Sequence, residues 1–330
     1  MYQALTQKKK QLARYRPLKT ALVRNLDDWF RVELTYTSNA IEGNTLTRQE
    51  TALVVGTGIT VGGKSLVEHL EATNHAAALD WVRALVARKP AKITEDDILR
   101  IHALILKGID DASAGRYRRV SVRIAGSTVV LPNFLKVPDL LQRCVRAVHA
   151  NKKMHAVERA ALAHYELVTI HPFVDGNGRT ARLLMNLLLL QAGYPPAIIR
   201  TRDRLAYIQA LETAQLGGSK AVFFQLIARA VDRSLDIYLH AVRGKTAAPP
   251  AEETRLLRIG ALARLAHETV STIRHWTTAG LLEIAEVTPA GYQLYAREML
   301  QRVQQIKTFQ SQRFTLKEIR EQLGAIARVR

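Results

Sequence analysis

Cysteine and acid are what this 330-residue chain is short of. Cys144 is its one cysteine, which excludes an intramolecular disulfide and a thiolate metal cluster. Acidic residues number 29 against 48 Lys and Arg, a formal net charge of +19, and an excess of that size favours anionic partners such as nucleic acid or phosphates. Long apolar runs are missing too. The stretch around Leu187–Leu190 falls far short of the roughly 20 residues a membrane span needs, so no membrane role is expected. The N-terminus is basic but lacks the apolar run of a signal peptide, and the expected location is cytoplasmic. What is present is length for two or three domains and enough apolar content for real cores.

The most informative stretch runs from His171 to Arg182, with Pro172, Phe173, Asp175, Gly176, Asn177, Gly178 and Arg179 between them. Upstream, Leu162, Tyr165, Leu167, Val168 and Ile170 recur at mostly helical spacing, and Pro172 cannot continue a helix. Downstream, Thr180 to Gln191 is almost uniformly apolar, with Gly193 just beyond its end, and so predicts a buried helix. The loop between them therefore opens onto a helix N-terminus. Gly176 and Gly178 let its amides converge into an anion nest. Arg179 and Arg182 stand on one face of a first turn whose dipole disfavours cations, which suggests an anion between them. Asp175 offers one hard carboxylate, suited to Mg²⁺ shared with substrate phosphates, and His171 is a base that titrates near neutral pH. Together these groups make a site for phosphate chemistry.

This stretch resembles the signature HPFxDGNGRxxR of the Fic (Fido) family of nucleotidyl transferases, and all nine fixed positions match. The resemblance implies a mainly α fold, a helical Fic core with a small β-hairpin flap, and transfer of AMP from Mg·ATP to a Ser, Thr or Tyr hydroxyl of a target protein or of the chain itself. His171 would deprotonate the hydroxyl and Asp175 would hold Mg²⁺. The amides of Gly176, Asn177 and Gly178 would bind the phosphates, and Arg179 and Arg182 the departing pyrophosphate end. Many relatives also carry an inhibitory segment [ST]xxxE[GN] before the motif. Ser38, Glu42 and Gly43 match it, which implies a Glu42–Arg182 contact that keeps the γ-phosphate from seating.

Along the chain, Lys8, Lys9, Lys10, Arg14, Arg16, Lys19 and Arg24 precede any acid and read as a solvated helix face. Pro17 is placed at the start of a helix through Trp29, Phe30 and Leu34. Gly58 to Ser65 spells the P-loop pattern GxxxxGK[ST], but no strand-and-helix alternation surrounds it, and Ser65 with Glu68 reads instead as a capping box. Residues 94–106 form an acid-led helix. Val120 to Ile124 and Val129 to Leu131 alternate around a turn at residues 125–128, and Val129 to Phe134 is the expected target-binding flap by likeness to the family. The family commonly sets an aromatic near the adenine, and Tyr207 is the candidate here.

The Gly-, Pro- and Ala-rich residues 244–254 read as a linker. Beyond it, two short helices and the run Gly291 to Tyr295 resemble the MerR (mercury-resistance regulator) family from about Leu257 to Leu323. That likeness implies a winged helix-turn-helix with Thr269, Ser271, Thr272, Arg274 and His275 toward DNA and Tyr292 on a wing. His267 replaces the usual turn glycine, Gln293 replaces an arginine, and the family's long dimerisation helix is not found before Arg330. The expected domains are an N-terminal helical region (1–93), the Fic core (94–243), the linker and a MerR-like domain (255–330). A homodimer is expected if the DNA site is palindromic. Competing readings are a DNA-binding regulator that uses the Fic core as a nucleotide sensor, another nucleotide donor, and glutamate-assisted removal of AMP.

Overall fold

The computed structural model describes residues 1–87, 92–150, 153–244, 256–287, 291–296, 299–311, 314–316, 318–320 and 322. The chain divides into two compact units, Met1–Lys245 and Thr246–Arg330. Of the expected linker only Gly244 is described; the rest, and part of the closing residues 314–323, lie outside the described residues.

The first unit is helical: α1 (Tyr2–Ala13), α2 (Thr20–Ile41), α3 (Arg48–Thr57), α4 (Leu66–Ala87), α5 (Glu95–Leu106), α6 (Val137–Ala150), α7 (Ala156–Ile170), α8 (Asn177–Gln191), α9 (Arg204–Gln215) and α10 (Ala221–Val242). Helix α8 is its centre, because it is apolar almost all round and must be covered on every side. Leu183, Leu184, Met185, Leu187, Leu188 and Leu189 are all buried, and α7, α4 and α5 pack against the helix. The short loop 171–176 makes α7 and α8 neighbours, so whatever it carries is held by two core helices.

Helix starts follow local chemistry. Thr94 and Asp97 close a capping box at α5, as do Thr47 and Glu50 at α3. At α4, the Ser65 amide donates to Glu68 (2.9 Å) and the Glu68 amide to Ser65 Oγ (3.2 Å). Residues 58–65 thus connect two helices with no strand before them, which removes the P-loop reading. Helix α2 begins at Thr20, three residues after the expected Pro17, and runs to Ile41, where Gly43 (φ 105°) turns the chain.

Two expectations are corrected. The basic N-terminal face is not simply solvated: Lys8 bridges Asp232 (2.7 Å) and Asp236 (2.8 Å) because α1 packs on α10, and Lys9 donates to the Ala192 carbonyl at the end of α8. The small hairpin flap is not a paired ladder among the described residues. Residues 119–133 form two arms with no helix or strand on either side of a turn, closed by the Ser127 amide on the Ile124 carbonyl (3.1 Å), and lead into a short 3-10 turn at Phe134–Lys136. Two strands without a third layer to cover them gain too little to pair stably.

The second unit comprises β1 (Leu257–Arg258), α11 (Ile259–Ala266), α12 (Val270–Thr278), β2 (Glu286–Val287), β3 (Gln293–Tyr295) and α13 (Met299–Ser311). The strands form one antiparallel sheet in the order β1-β3-β2. Leu262, Ile273, Trp276, Leu281, Tyr295, Val303 and Ile306 build a core of its own. His267 caps α11 in the left-handed region (φ 54°), the conformation a glycine would adopt without strain. No helix among the described residues is long and apolar enough to cross a membrane.

Candidate active site

Helix α7 ends on His171 because its φ of 51° and the following Pro172 leave no way to continue. The ring is oriented by its own helix: Nδ1 lies 3.3 Å from the Val168 carbonyl, an acceptor only, so Nδ1 carries the proton and Nε2 keeps its lone pair. Burial lowers the pKa of His171, with Arg118 adding to the fall and Val168, Glu42 and Asp175 opposing it. The imidazole is therefore neutral at pH 7, the state a base requires.

The loop after it is tied by residues whose side chains do no chemistry. Asn177 accepts the Phe173 amide (3.0 Å) and returns a bond to the Phe173 carbonyl (2.9 Å). Its side chain is thus spent on the loop, and only its backbone amide is left for an anion. Gly176 takes φ 74° as the N-cap of α8, and a Cβ there would crowd the His102 ring at 3.3 Å. The first intrahelical bond is Thr180 N to Gly176 O (2.9 Å), so the amides of Asn177, Gly178 and Arg179 have no acceptor within the helix. Such amides form an anion site.

Arg182 is 5 % exposed and held on three sides. Nε donates to Ser38 Oγ (2.9 Å), Nη2 to the Ser38 carbonyl (2.9 Å) and to Glu42 Oε1 (2.6 Å), and Nη1 reaches the Tyr207 hydroxyl at 3.4 Å. Burial pushes its pKa down, but Glu42 and then Tyr207 outweigh that and the net shift is upward. The Glu42–Arg182 contact implied by the pattern is present. A Cβ on Gly178 would overlap the Glu42 carboxylate, so the glycine is also what lets Glu42 reach the arginine. Gly43 follows as the turn that ends this arm.

Arg179 lies deeper than a solvent-facing phosphate ligand. It is 3 % exposed, with Nη1 on Glu71 Oε1 (2.7 Å) and Nη2 on Asp175 Oδ2 (3.0 Å). It therefore steadies Asp175, whose side chain is 69 % exposed and faces outward. No group of three metal-binding side chains occurs among the described residues. One exposed carboxylate beside an amide nest fits Mg²⁺ that takes its other ligands from phosphates and water.

Tyr207, the residue expected near the adenine, lies in the core beside Arg182. It is 3 % exposed, and its hydroxyl lies 2.9 Å from His164 Nε2 as well as against Arg182. With its ring packed near His164 and Phe223, it supports the arginine from within the core. Sequence reasoning also passed over His102 and Glu71. His102 Nδ1 accepts the Gly115 amide (2.9 Å), Nε2 donates to the Asp175 carbonyl (3.0 Å), and the ring stacks on Phe173 at 3.6 Å. Burial, outweighing the Asp175 bond, lowers its pKa to about 4. Neither residue has a local signature, since each is one polar position on an otherwise ordinary helix.

In the second unit the predicted DNA-facing positions lie on α12 and its cap. Thr269 accepts the Thr272 amide (3.0 Å), Ile273 and Trp276 point into the core, and Thr269, Ser271, Arg274 and His275 are exposed while Thr272 is half-buried. Tyr292 is exposed, with the Arg258 guanidinium 4.9 Å from its ring centre. Gln293 accepts a bond from Tyr295.

Comparison with known proteins agrees with this geometry. Residues 92–189 match the Fic/DOC family, and residues 257–325 match the MerR HTH family of regulatory proteins. The chain is 43 % identical over 210 residues to a protein adenylyltransferase Fic of Nematostella vectensis, covering 62 % of this chain and 48 % of that protein. It is 38 % identical over 242 residues to the Culex quinquefasciatus protein of the same name, covering 73 % and 48 %. The chain thus spans about half the length of the curated relatives it matches. Among solved structures, Fic-1 from C. elegans aligns with a TM-score of 0.68 at 31 % identity, over 74 % of this chain and 72 % of that one. A Fic-domain signalling protein from Bacteroides thetaiotaomicron aligns with a TM-score of 0.68 at 29 % identity, over 75 % and 99 %. On the site's geometry and on these likenesses together, the chain belongs to the Fic/DOC family.

Proposed function

We propose that the chain is a protein adenylyltransferase held in check by Glu42 and joined to a DNA-binding module. The observation that carries the reading is the pairing of a neutral, Nε2-open His171 with an anion nest on α8 and a buried Arg182 already occupied by Glu42. The curated relatives named protein adenylyltransferase support the chemistry. In this reaction Nε2 of His171 takes the proton of a Ser, Thr or Tyr hydroxyl. The hydroxyl oxygen forms a bond to the α-phosphorus of ATP, the bond to the bridging oxygen breaks, and pyrophosphate leaves. The amides of Gly176, Asn177 and Gly178 hold phosphate oxygens, and Arg182 takes the pyrophosphate end once Glu42 withdraws. Asp175, steadied by Arg179, would hold Mg²⁺, which supplies neutralisation of phosphate charge. Little covalent work falls to the protein, because such transfers depend on position and charge.

The DNA-binding part rests on the MerR match and on α12, which turns Arg274 and His275 outward from a packed helix-turn-helix. The arrangement read as a wing is β2 and β3 with Tyr292 near its tip. Target, operator and dimer formation are further parts of the same proposal.

The test is transfer of label from ATP carrying it on the α-phosphate, comparing wild type, Glu42→Gly and His171→Ala, each alone and with a cell lysate. Glu42→Gly is expected to label itself or a lysate protein, with wild type faint and His171→Ala blank. Binding of ATP by Glu42→Gly without any transfer would refute the transferase and favour a nucleotide sensor for the DNA-binding unit.

A further inference from the structure

One guanidinium joins the two arms of residues 119–133 to the catalytic loop. Arg118 is 2 % exposed. Its Nε donates to the His171 carbonyl (2.8 Å), Nη1 to the Val120 carbonyl (3.0 Å) and Nη2 to the Pro132 carbonyl (2.6 Å). The backbone amide of Arg118 adds a bond to the Pro172 carbonyl (2.9 Å). The named partners are all carbonyl oxygens, on three separate pieces of chain. A planar guanidinium presents its N–H groups in a fixed fork, so it sets the distances among those pieces in a way a flexible ammonium cannot.

The arms are also held elsewhere, since Val122, Ile124, Val129 and Leu131 are half-buried. Their turn is tethered by Ser127 Oγ to Glu212 on α9 (2.6 Å), and no strand pairing is assigned between them among the described residues. At their base, where they stand relative to His171 is set by the Arg118 bonds. The nucleotide side is held by different groups: Ser38, Glu42 and Tyr207 on Arg182, Glu71 on Arg179, and Asn177 on the loop. None of these contacts passes through Arg118.

We propose that Arg118 is a positioning residue for the acceptor side of the reaction, holding both arms and the backbone of His171 as one unit so that an incoming hydroxyl meets Nε2 at the right distance. The proposal rests on the transferase reading for its catalytic consequence, and on geometry alone for the clasp.

The experiment places Arg118→Gln and Arg118→Lys in the Glu42→Gly protein and follows two readouts. Amide hydrogen exchange is expected to quicken together in residues 119–133 and 170–176, by about tenfold, with α10 unchanged. Initial rates of self-labelling against ATP concentration are expected to show kcat down by about tenfold or more, KM for ATP within about twofold, and partial rescue by lysine. If only one segment quickens, or exchange rises throughout the unit, the clasp is overturned. A raised KM with unchanged kcat overturns the acceptor-side role. Should Arg118→Gln fail to fold, Arg118→Lys carries both readouts with the charge kept. Should Glu42→Gly transfer nothing at all, the transferase reading fails, while hydrogen exchange still decides the clasp.

Discussion

Replacing Glu42 by glycine should loosen the protein and tighten its hold on nucleotide at once. Glu42 Oε1 lies 2.6 Å from Arg182 Nη2, with the arginine side chain 6 % and the glutamate side chain 36 % exposed. For charge centres about 4 Å apart at an effective dielectric of about 20, the attraction is about 4 kcal/mol. Water reaching the exposed part of the carboxylate reduces this to about 2 kcal/mol. A nucleotide that must displace Glu42 to reach Arg182 works against that amount, so Glu42→Gly should bind Mg·ATP about 30-fold more tightly. Without nucleotide the variant leaves a buried guanidinium on Ser38 and Tyr207 alone, at a cost of about 1–3 kcal/mol. Its Tm should accordingly fall, and ATP should raise that Tm further than it raises the wild type's. Calorimetric titration and thermal melts with and without Mg·ATP measure both, and Glu42→Gln, which keeps the shape without the charge, should fall between. Equal ATP affinity in wild type and Glu42→Gly would refute the competition on which the argument depends.

Three further outcomes are expected. Because burial holds the pKa of His171 below its ordinary value of 6.5, transfer by Glu42→Gly should stay level from pH 8 down to about 6.5 and decline only below it; a decline already above pH 7 would count against His171 as the base. Burial also depresses His75 and His164 to about 3 and His102 to about 4. The folded protein keeps these rings neutral while the unfolded chain protonates them, so stability is full above pH 6.5 and is lost as pH falls, by up to about 4 kcal/mol per pH unit until the folded values are reached. Urea unfolding at pH 7 and pH 5.5 checks this, and unchanged midpoints would show that the rings are not buried neutral. In the second unit, Arg274→Ala should weaken binding to an operator fragment and lower the salt dependence of what remains; unchanged affinity in a footprint would sink the proposed docking of α12.

How much of this was legible beforehand depends on how far apart the interacting residues are. Ser65 with Glu68 acts across three positions, so that spacing announced a helix start and told against the P-loop pattern, and the acids that open residues 94–106 announced another, where the structure adds the Thr94–Asp97 box. The apolar surface of α8 announced a buried helix in the same way. The nine motif positions marked the site because they are nearly contiguous. Glu42 and Arg182 are 140 residues apart, and only likeness to a family paired them.

What the sequence determined by itself was therefore the local conformation: the left-handed turn at Gly176, the helix ends, and a loop able to bind an anion. The tertiary structure alone decided which remote side chains meet that loop. It turned Tyr207 inward beneath Arg182, brought Glu71 to Arg179 across 108 residues, and set His102 and Arg118 on the catalytic backbone. It left residues 119–133 as unpaired arms despite their alternating pattern. The physical reason is that a cap or a periodicity is satisfied by neighbours in the chain, whereas the burial of a charge or a ring depends on which helices happen to cover it.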